Sequence, residues 1–336
     1  MVDVERLLAD CLQDVRGVPR ETVPVGSADP GYEAARRTFL AAGLAALRGD
    51  RPEDGWVQLN LAPGPTAPHR TYRAVADTAR ELIAAGAARS FFFMHKPPGL
   101  RVRFEVGHPD SGDPTGELHG DRGEELRTEL RAELIRRFRA VDGWSAPPRC
   151  GNYEPETYLF GGPRSMRYVH DLFTVDSLAW LDHHDAAAAP GRPEALADWR
   201  FSLYLLGELL DGLGIVGWEH RGVWQVLRDD IGRRLGAEPD DDTRRAAAGI
   251  RAVWRTGRAD LLASLPPLRR AAVEADGSAV RRAAEAWRTG YFDSGEAVIG
   301  PRRAAAHYVV FHWNRGRLSL ARQSLLTHAL ADEGGF

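Results

Sequence analysis

Apolar residues recur along this chain in two rhythms, and the change between them falls near residue 163. Before it, alternating runs interrupt stretches of helical spacing; after it, only the helical spacing remains. Val4, Leu7, Leu8, Cys11, Leu12 and Val15 predict a helix over 4–16, and residues 31–48 repeat the habit, so 1–50 is read as an N-terminal helical segment. Trp56, Val57, Leu59 and Leu61 predict a strand over 55–62, ended by Pro63-Gly64-Pro65, and residues 70–87 return to the helical period. Ser90–Met94 and Leu100–Val106 are apolar runs joined by His95-Lys96-Pro97-Pro98-Gly99, the composition of a hairpin connection. Arg101 and Arg103 alternate with Val102 and Phe104, which puts both arginines on one face of their strand. A charged helix over 122–139 and a strand over Tyr153–Phe160 complete the first half.

Strand, helix, strand, strand, helix, strand is the order of a ferredoxin-like βαββαβ unit, an antiparallel sheet with helices on one face. From Pro163 onward, residues 164–184, 196–213, 217–234, 241–256, 277–289 and 301–331 all read as helical. The expectation is therefore an α+β fold, with a ferredoxin-like part over 51–162 packed against a helical part over 163–336, together one integrated catalytic unit.

Composition narrows the function classes. A formal net charge of −3 gives no global basic field for nucleic acid, and nowhere do apolar residues run long enough to span a membrane. Two cysteines, Cys11 and Cys150, are too few for a disulfide framework or a cysteine metal site, which fits a reducing cytoplasm. His183-His184-Asp185 is not expected to hold a metal, because adjacent helical residues diverge. No phosphate-binding glycine loop follows a strand, and no Gly-x-Ser-x-Gly elbow is present, so no cofactor is implied and serine hydrolase chemistry is disfavoured.

Two segments carry candidate chemistry. Gly151-Asn152-Tyr153-Glu154-Pro155-Glu156-Thr157-Tyr158-Leu159-Phe160-Gly161-Gly162-Pro163 packs aromatic, acidic and glycine positions into a strand, a glycine corner and a helix start. It reads either as a site or as a solvated edge strand followed by a turn. In His307-Tyr308-Val309-Val310-Phe311-His312-Trp313-Asn314-Arg315, Tyr308, His312 and Arg315 share one helical stripe. A phenol, an imidazole and a guanidinium together can move protons and hold developing negative charge. The same pattern also fits an amphipathic helix whose polar groups are merely satisfied.

Taken in order, Trp56-Val57-Gln58-Leu59-Asn60, Phe91-Phe92-Phe93-Met94, Leu100-Arg101-Val102-Arg103-Phe104, Tyr153-Glu154-Pro155-Glu156, Phe160-Gly161-Gly162, Phe173-Thr174-Val175-Asp176-Ser177 and Asn314-Arg315 resemble the thiopeptide-type bacteriocin biosynthesis domain family. That resemblance spans residues 55–325 and implies the fold of the lanthipeptide dehydratase elimination domain. It also implies one of two activities on a leader-bearing peptide. One is elimination of glutamate from glutamylated serine or threonine; the other is pyridine formation by formal aza-[4+2] cycloaddition of two dehydroalanines.

Elimination enzymes usually place an arginine for the glutamate carboxylate before aromatic-Gly-Gly, and Leu159 stands there in this chain. Their hairpin strand usually ends in Arg-Tyr, here His95-Lys96, and the slot of their helix histidine is Val310. The resemblance is therefore greatest to a stand-alone pyridine synthase. It implies Tyr308 and His312 as proton carriers, Arg315 and Asn314 as positioners of the amide oxygen, and His307 as a further catalytic candidate. Tyr153, Glu154, Glu156, Tyr158, Leu159, Arg101, Arg103 and Trp313 are the expected substrate-binding residues. The implied partners are the precursor peptide, pathway dehydratase subunits and a second copy of the chain. A glutamate-elimination subunit and a non-catalytic leader-binding protein are the alternatives.

Overall fold

A computed structural model describes residues 55–64, 68–97, 99–107, 121–188 and 196–331, together with Asp10, Tyr32 and Arg36. Apart from those three residues, the helices expected over 4–16 and 31–48 lie outside the described residues. The first half runs β1 (Trp56–Pro63), α1 (Pro68–Ala84), β2 (Ala88–Lys96), β3 (Gly99–Val106), α2 (Asp121–Arg139) and β4 (Trp144–Gly151). The strands pair in the order β2-β3-β1-β4, every pairing antiparallel, which is the ferredoxin-like arrangement.

Alternation along the strands sorts the sheet into two faces. Val57, Leu59, Leu61, Phe91, Phe93, Val102 and Phe104 form the apolar face and are buried in the core with Val75, Ala79, Leu130, Leu134 and Phe138 of α1 and α2. The opposite face carries Gln58, Asn60, Phe92, Met94, Arg101, Arg103 and Glu105. It is the polar one, as the placement of both arginines on one face requires.

The expected strand over Tyr153–Phe160 does not form. Its place in the sheet is taken by β4, where Asn60 pairs with Arg149 and Gln58 with Gly151, and residues 157–159 make a single 3₁₀ turn. Pro147 and Pro148 argue against a strand within a sheet, but β4 is an edge, and an edge tolerates missing donors. The tyrosines that made residues 153–160 look extended serve packing instead: Tyr153 is buried against Trp56 and Phe92.

Helices α3 (Pro163–Ala188), α4 (Asp198–Gly212), α5 (Glu219–Asp229), α6 (Asp241–Thr256), α7 (Arg258–Ala263), α8 (Pro267–Gly290), α9 (Pro301–Arg315) and α10 (Leu320–Ala331) follow. Helix α7 was not expected, and α8 begins ten residues earlier than the reading of 277–289. Gly277, which looks like a breaker, lies inside α8 because Tyr204 fills the place of its side chain; an added Cβ would sit 2.6 Å from the phenol oxygen. The helix expected over 301–331 is broken at Gly316-Arg317, where Arg317 takes φ 55° and ends α9. Among the described residues, no helix is long and apolar enough to cross a membrane.

Helix α3 joins the two halves. The outward N–H groups of edge strand β2 would be orphaned, and α3 supplies their acceptors. Phe91 N–H donates to Thr174 Oγ1 (3.0 Å) and Phe93 N–H to Ser177 Oγ (3.3 Å). Spacing of two on the strand is matched by spacing of three on the helix. Ser177→Ala should therefore destabilise the protein by about 1–3 kcal/mol by leaving a buried N–H unpaired. Urea unfolding should show this as a lower midpoint with an unchanged slope.

Candidate active site

The polar sheet face carries a layered arginine. Gln58 Oε1 accepts from Arg103 Nε at 2.8 Å, and the guanidinium lies over the rings of Phe92 (4.9 Å) and Tyr153 (4.8 Å). Burial lowers the pKa of Arg103 yet leaves it a cation, because guanidinium deprotonates only far above neutrality. Beneath it, Tyr153 Oη and His170 Nε2 are 2.8 Å apart. Burial pushes His170 down to about 3, so the ring is neutral and shares one hydrogen with the phenol. Arg101, two residues away, is half-buried and makes no ion pair among the described residues.

Beside this face, the segment after β4 turns through the expected glycine corner. Gly161 and Gly162 have φ 88° and 96°, a region that only glycine enters without strain. A Cβ on Gly161 would lie 2.1 Å from Tyr291 Oη, the hydroxyl that donates to Gly161 O at 2.8 Å. Pro163 then opens α3. The corner buries Phe160 against Phe173 and Phe311, with His307 at 6.4 Å between ring centres. Glu156 and Leu159 are half-buried, Glu154 is exposed, and Tyr158 is 79% exposed. Glu156 lies near enough to Arg103 to favour its charged form.

Helix α9 brings Tyr308, His312 and Arg315 together as its spacing predicts, but it turns them inward. All three are at most 1% exposed. Asp176 of α3 is their common partner. Its Oδ2 accepts from Arg315 Nε at 2.7 Å, and its Oδ1 lies 2.8 Å from His312 Nδ1. Despite the cost of burial, the imidazole and guanidinium hold the Asp176 carboxyl below its ordinary value, so it is ionised and His312 Nδ1 must donate. His312 Nε2 and Ser202 Oγ lie 2.9 Å apart, and that oxygen accepts from Trp313 Nε1 at 3.1 Å.

The Arg315 guanidinium sits 4.4 Å over Phe173, whose ring is stacked against both Tyr308 and Phe311. Phe173 thus stands between the inner cluster and Phe311. Tyr308 Oη and Arg315 Nη2 are buried and lack partners among the described residues. Burial raises the Tyr308 pKa well above that of a free phenol. In this conformation Tyr308, His312, Trp313 and Arg315 hold the helix and touch no solvent. After Pro301, His307, Val310, Phe311 and Asn314 are the half-buried residues of α9.

Sequence reasoning quoted Gln58 and Asp176 only as parts of signatures and assigned neither a task. The available signal was an acid inside the apolar stretch Phe173–Ser177, where a buried charge demands a buried partner. His183 and His184 do diverge: His183 pairs with Asp198, and His184 Nε2 donates to Arg315 O at 2.9 Å. Among the described residues, no group of three or more His, Cys, Asp and Glu is placed to hold a metal ion.

The four-stranded ferredoxin-like sheet, with two arginines on its polar face and the helices that follow, gives the chain an α+β architecture. The chain belongs to the lantibiotic biosynthesis dehydratase C-terminal family, whose model matches residues 56–332. It is thereby related to enzymes that mature ribosomally made peptides. Among solved structures, the tRNA-dependent lantibiotic dehydratase MibB from Microbispora sp. 107891 shares the fold at TM-score 0.54 and 19% identity, over 83% of this chain. This chain spans 28% of that protein's length. Two further structures match more loosely. TbtD, the pyridine synthase from thiomuracin biosynthesis, has a TM-score of 0.33 and 17% identity, over 82% of this chain and 96% of its own. TsrL has a TM-score of 0.29 and 15% identity, over 82% and 93%. No curated protein matches the chain.

Two predictions follow from the buried groups. Asp176→Asn leaves Arg315 buried without its counter-charge and should cost about 3–5 kcal/mol, read as a lower midpoint in urea. The second concerns acid. Burial lowers His95 and His170 to about 3 and His184 to about 4, against 6.5 for an unperturbed imidazole. Between those values the unfolded chain binds protons that the folded one refuses, so stability should fall as pH drops below about 6.5. Asp176, whose folded pKa is depressed, adds stability above 3.8 that disappears as pH falls through its folded value. Unfolding midpoints measured from pH 8 to 4 should decline from about pH 6.5 downward; a flat profile to pH 4 would contradict the buried neutral histidines.

Proposed function

We propose that the chain is a thiopeptide-maturing pyridine synthase. It folds a leader-bearing, azole-containing peptide so that two dehydroalanines meet in a formal aza-[4+2] cycloaddition. The alkene of one dehydroalanine adds across the azadiene formed by the other and the iminol tautomer of its neighbouring amide. Two new σ bonds give a hydroxylated six-membered ring. Loss of water and expulsion of the leader as its carboxamide then yield the aromatic pyridine and close the macrocycle.

Leu159 is the observation that carries this reading. It is half-buried in the turn before Phe160-Gly161-Gly162, where an elimination enzyme would present a guanidinium to the departing glutamate. An apolar side chain cannot receive a carboxylate. Arg103 is already engaged by Gln58 and two aromatic rings, which leaves Arg101 as the cation of this face best placed for a peptide.

The reaction chiefly needs its ends held together, and proximity can account for about 7–11 kcal/mol of a barrier. Walls of Leu159, Val310 and Phe311, backed by the buried Phe160, suit that task. His307, whose pKa burial lowers, is neutral at pH 7 and exchanges protons with the amide, while Asn314 holds its oxygen and Arg101 binds the peptide away from the reacting atoms. Glu154, Glu156 and Tyr158 meet the peptide at the rim. Tyr308, His312, Trp313 and Arg315 act from behind by fixing the wall. The precursor peptide is the partner this reading requires.

Glutamate elimination is the second reading, and the presence of Arg101 and Arg103 favours it. Incubation of the purified protein with a bis-dehydroalanine leader peptide should give a macrocycle and the leader amide by mass. Unchanged peptide, together with glutamate loss from a glutamylated substrate, would establish elimination instead; binding without either reaction would leave a leader-binding protein. Arg101→Ala should raise KM roughly tenfold or more, the effect of losing a charge-assisted hydrogen bond, with kcat within about threefold of the parent.

A further inference from the structure

A second polar pocket opens at the far end of α3, away from the sheet face that carries Arg101 and Arg103. Its volume is about 430 Å³, and it is lined by Tyr72, His184, Ala187, Ala188, Asp198 and Arg317. Behind this lining, backbone carbonyls of α9 fix the imidazole tautomers. His95 Nδ1 lies 3.2 Å from Asn314 O, which can only accept, so the ring proton is on Nδ1 and the bare Nε2 takes the Tyr72 hydroxyl hydrogen at 3.0 Å. His184, stacked on Tyr72 at 4.8 Å, likewise gives its Nε2 hydrogen to Arg315 O. With its only hydrogen committed to His95, Tyr72 Oη faces any ligand purely as an acceptor.

Two opposite charges stand on the walls without meeting. Asp198 is bonded through Oδ1 to His183 Nε2 at 3.0 Å, which holds the carboxyl below its ordinary value and keeps it anionic. Arg317 reaches the Tyr72 phenol and is exposed. Among the described residues it makes no ion pair, with Asp198 or any other acid.

Its backbone makes the side chain harder to dismiss. Arg317 is the one non-glycine described residue at positive φ (55°), in the turn where Leu318 N–H bonds Trp313 O at 3.0 Å. Glycine is the usual occupant of such a position, and another residue is strained there. The glycine stands one residue earlier, at 316, where a Cβ would lie 2.4 Å from Trp180.

We propose that this pocket binds a small zwitterion of the α-amino acid class, its ammonium on Asp198 and the Tyr72 oxygen and its carboxylate on Arg317. The volume admits a single amino acid. The ligand would lie against residues whose imidazoles hold Asn314 O and Arg315 O, so its occupancy is felt at the end of α9.

Isothermal titration of the whole protein with each proteinogenic amino acid, and with methylamine and acetate as single-charge probes, tests this. At least one amino acid should bind, at least tenfold more tightly than either single-charge probe and than its own amide. Arg317→Gly, which removes the guanidinium while relieving the positive φ, and Asp198→Asn should each weaken binding at least tenfold, whereas Arg317→Lys should retain most of it. Absence of any binding below about 10 mM, equal binding of acetate or methylamine, or binding unchanged in folded Arg317→Gly would overturn the proposal. The comparison of ligands on the unaltered protein decides the matter even where a variant fails to fold.

Discussion

One carboxylate fixes the geometry of the whole molecule. Asp176 points from α3 into a space with no solvent, where an unpaired charge could not persist, and both of its oxygens are taken by α9. The same helix, within four residues, hydrogen-bonds the edge of β2 through Thr174 and Ser177. Sheet, α3 and α9 are therefore tied at one locus.

This arrangement separates two tasks that the sequence of α9 merges. Its inner stripe, Tyr308, His312 and Arg315, is the more reactive in type, yet it is spent on anchoring. Its outer residues, His307 and Asn314, are only half-buried. Arg103 shows the same division on the sheet: stacked and bonded, it stiffens the floor, while Arg101 is left open to what enters.

Local pattern made much of this legible. Strand alternation identified β1, β2 and β3 and the shared face of the arginines, and the Gly161-Gly162-Pro163 corner was readable because positive φ and a helix start each demand particular residues. The fourth strand was not, since Pro147 and Pro148 disguise an edge strand and the Tyr153 segment imitates one. Periodicity gave the stripe of α9 but not its burial, because spacing defines a face without saying what covers it. Asp176 was visible only as a letter in a signature; its meaning depends on residues 136 and 139 positions away.

The capping of β2 by α3 also bears on how a peptide can be read. One margin of the sheet has its N–H groups occupied by threonine and serine, and the other, β4, has lost donors to two prolines. Both margins thus offer an added strand fewer free donors than an open edge would. On the proposed reading, a peptide would then be recognised more by side chains and shape than by strand pairing, a mode that suits a substrate whose residues have been chemically remodelled.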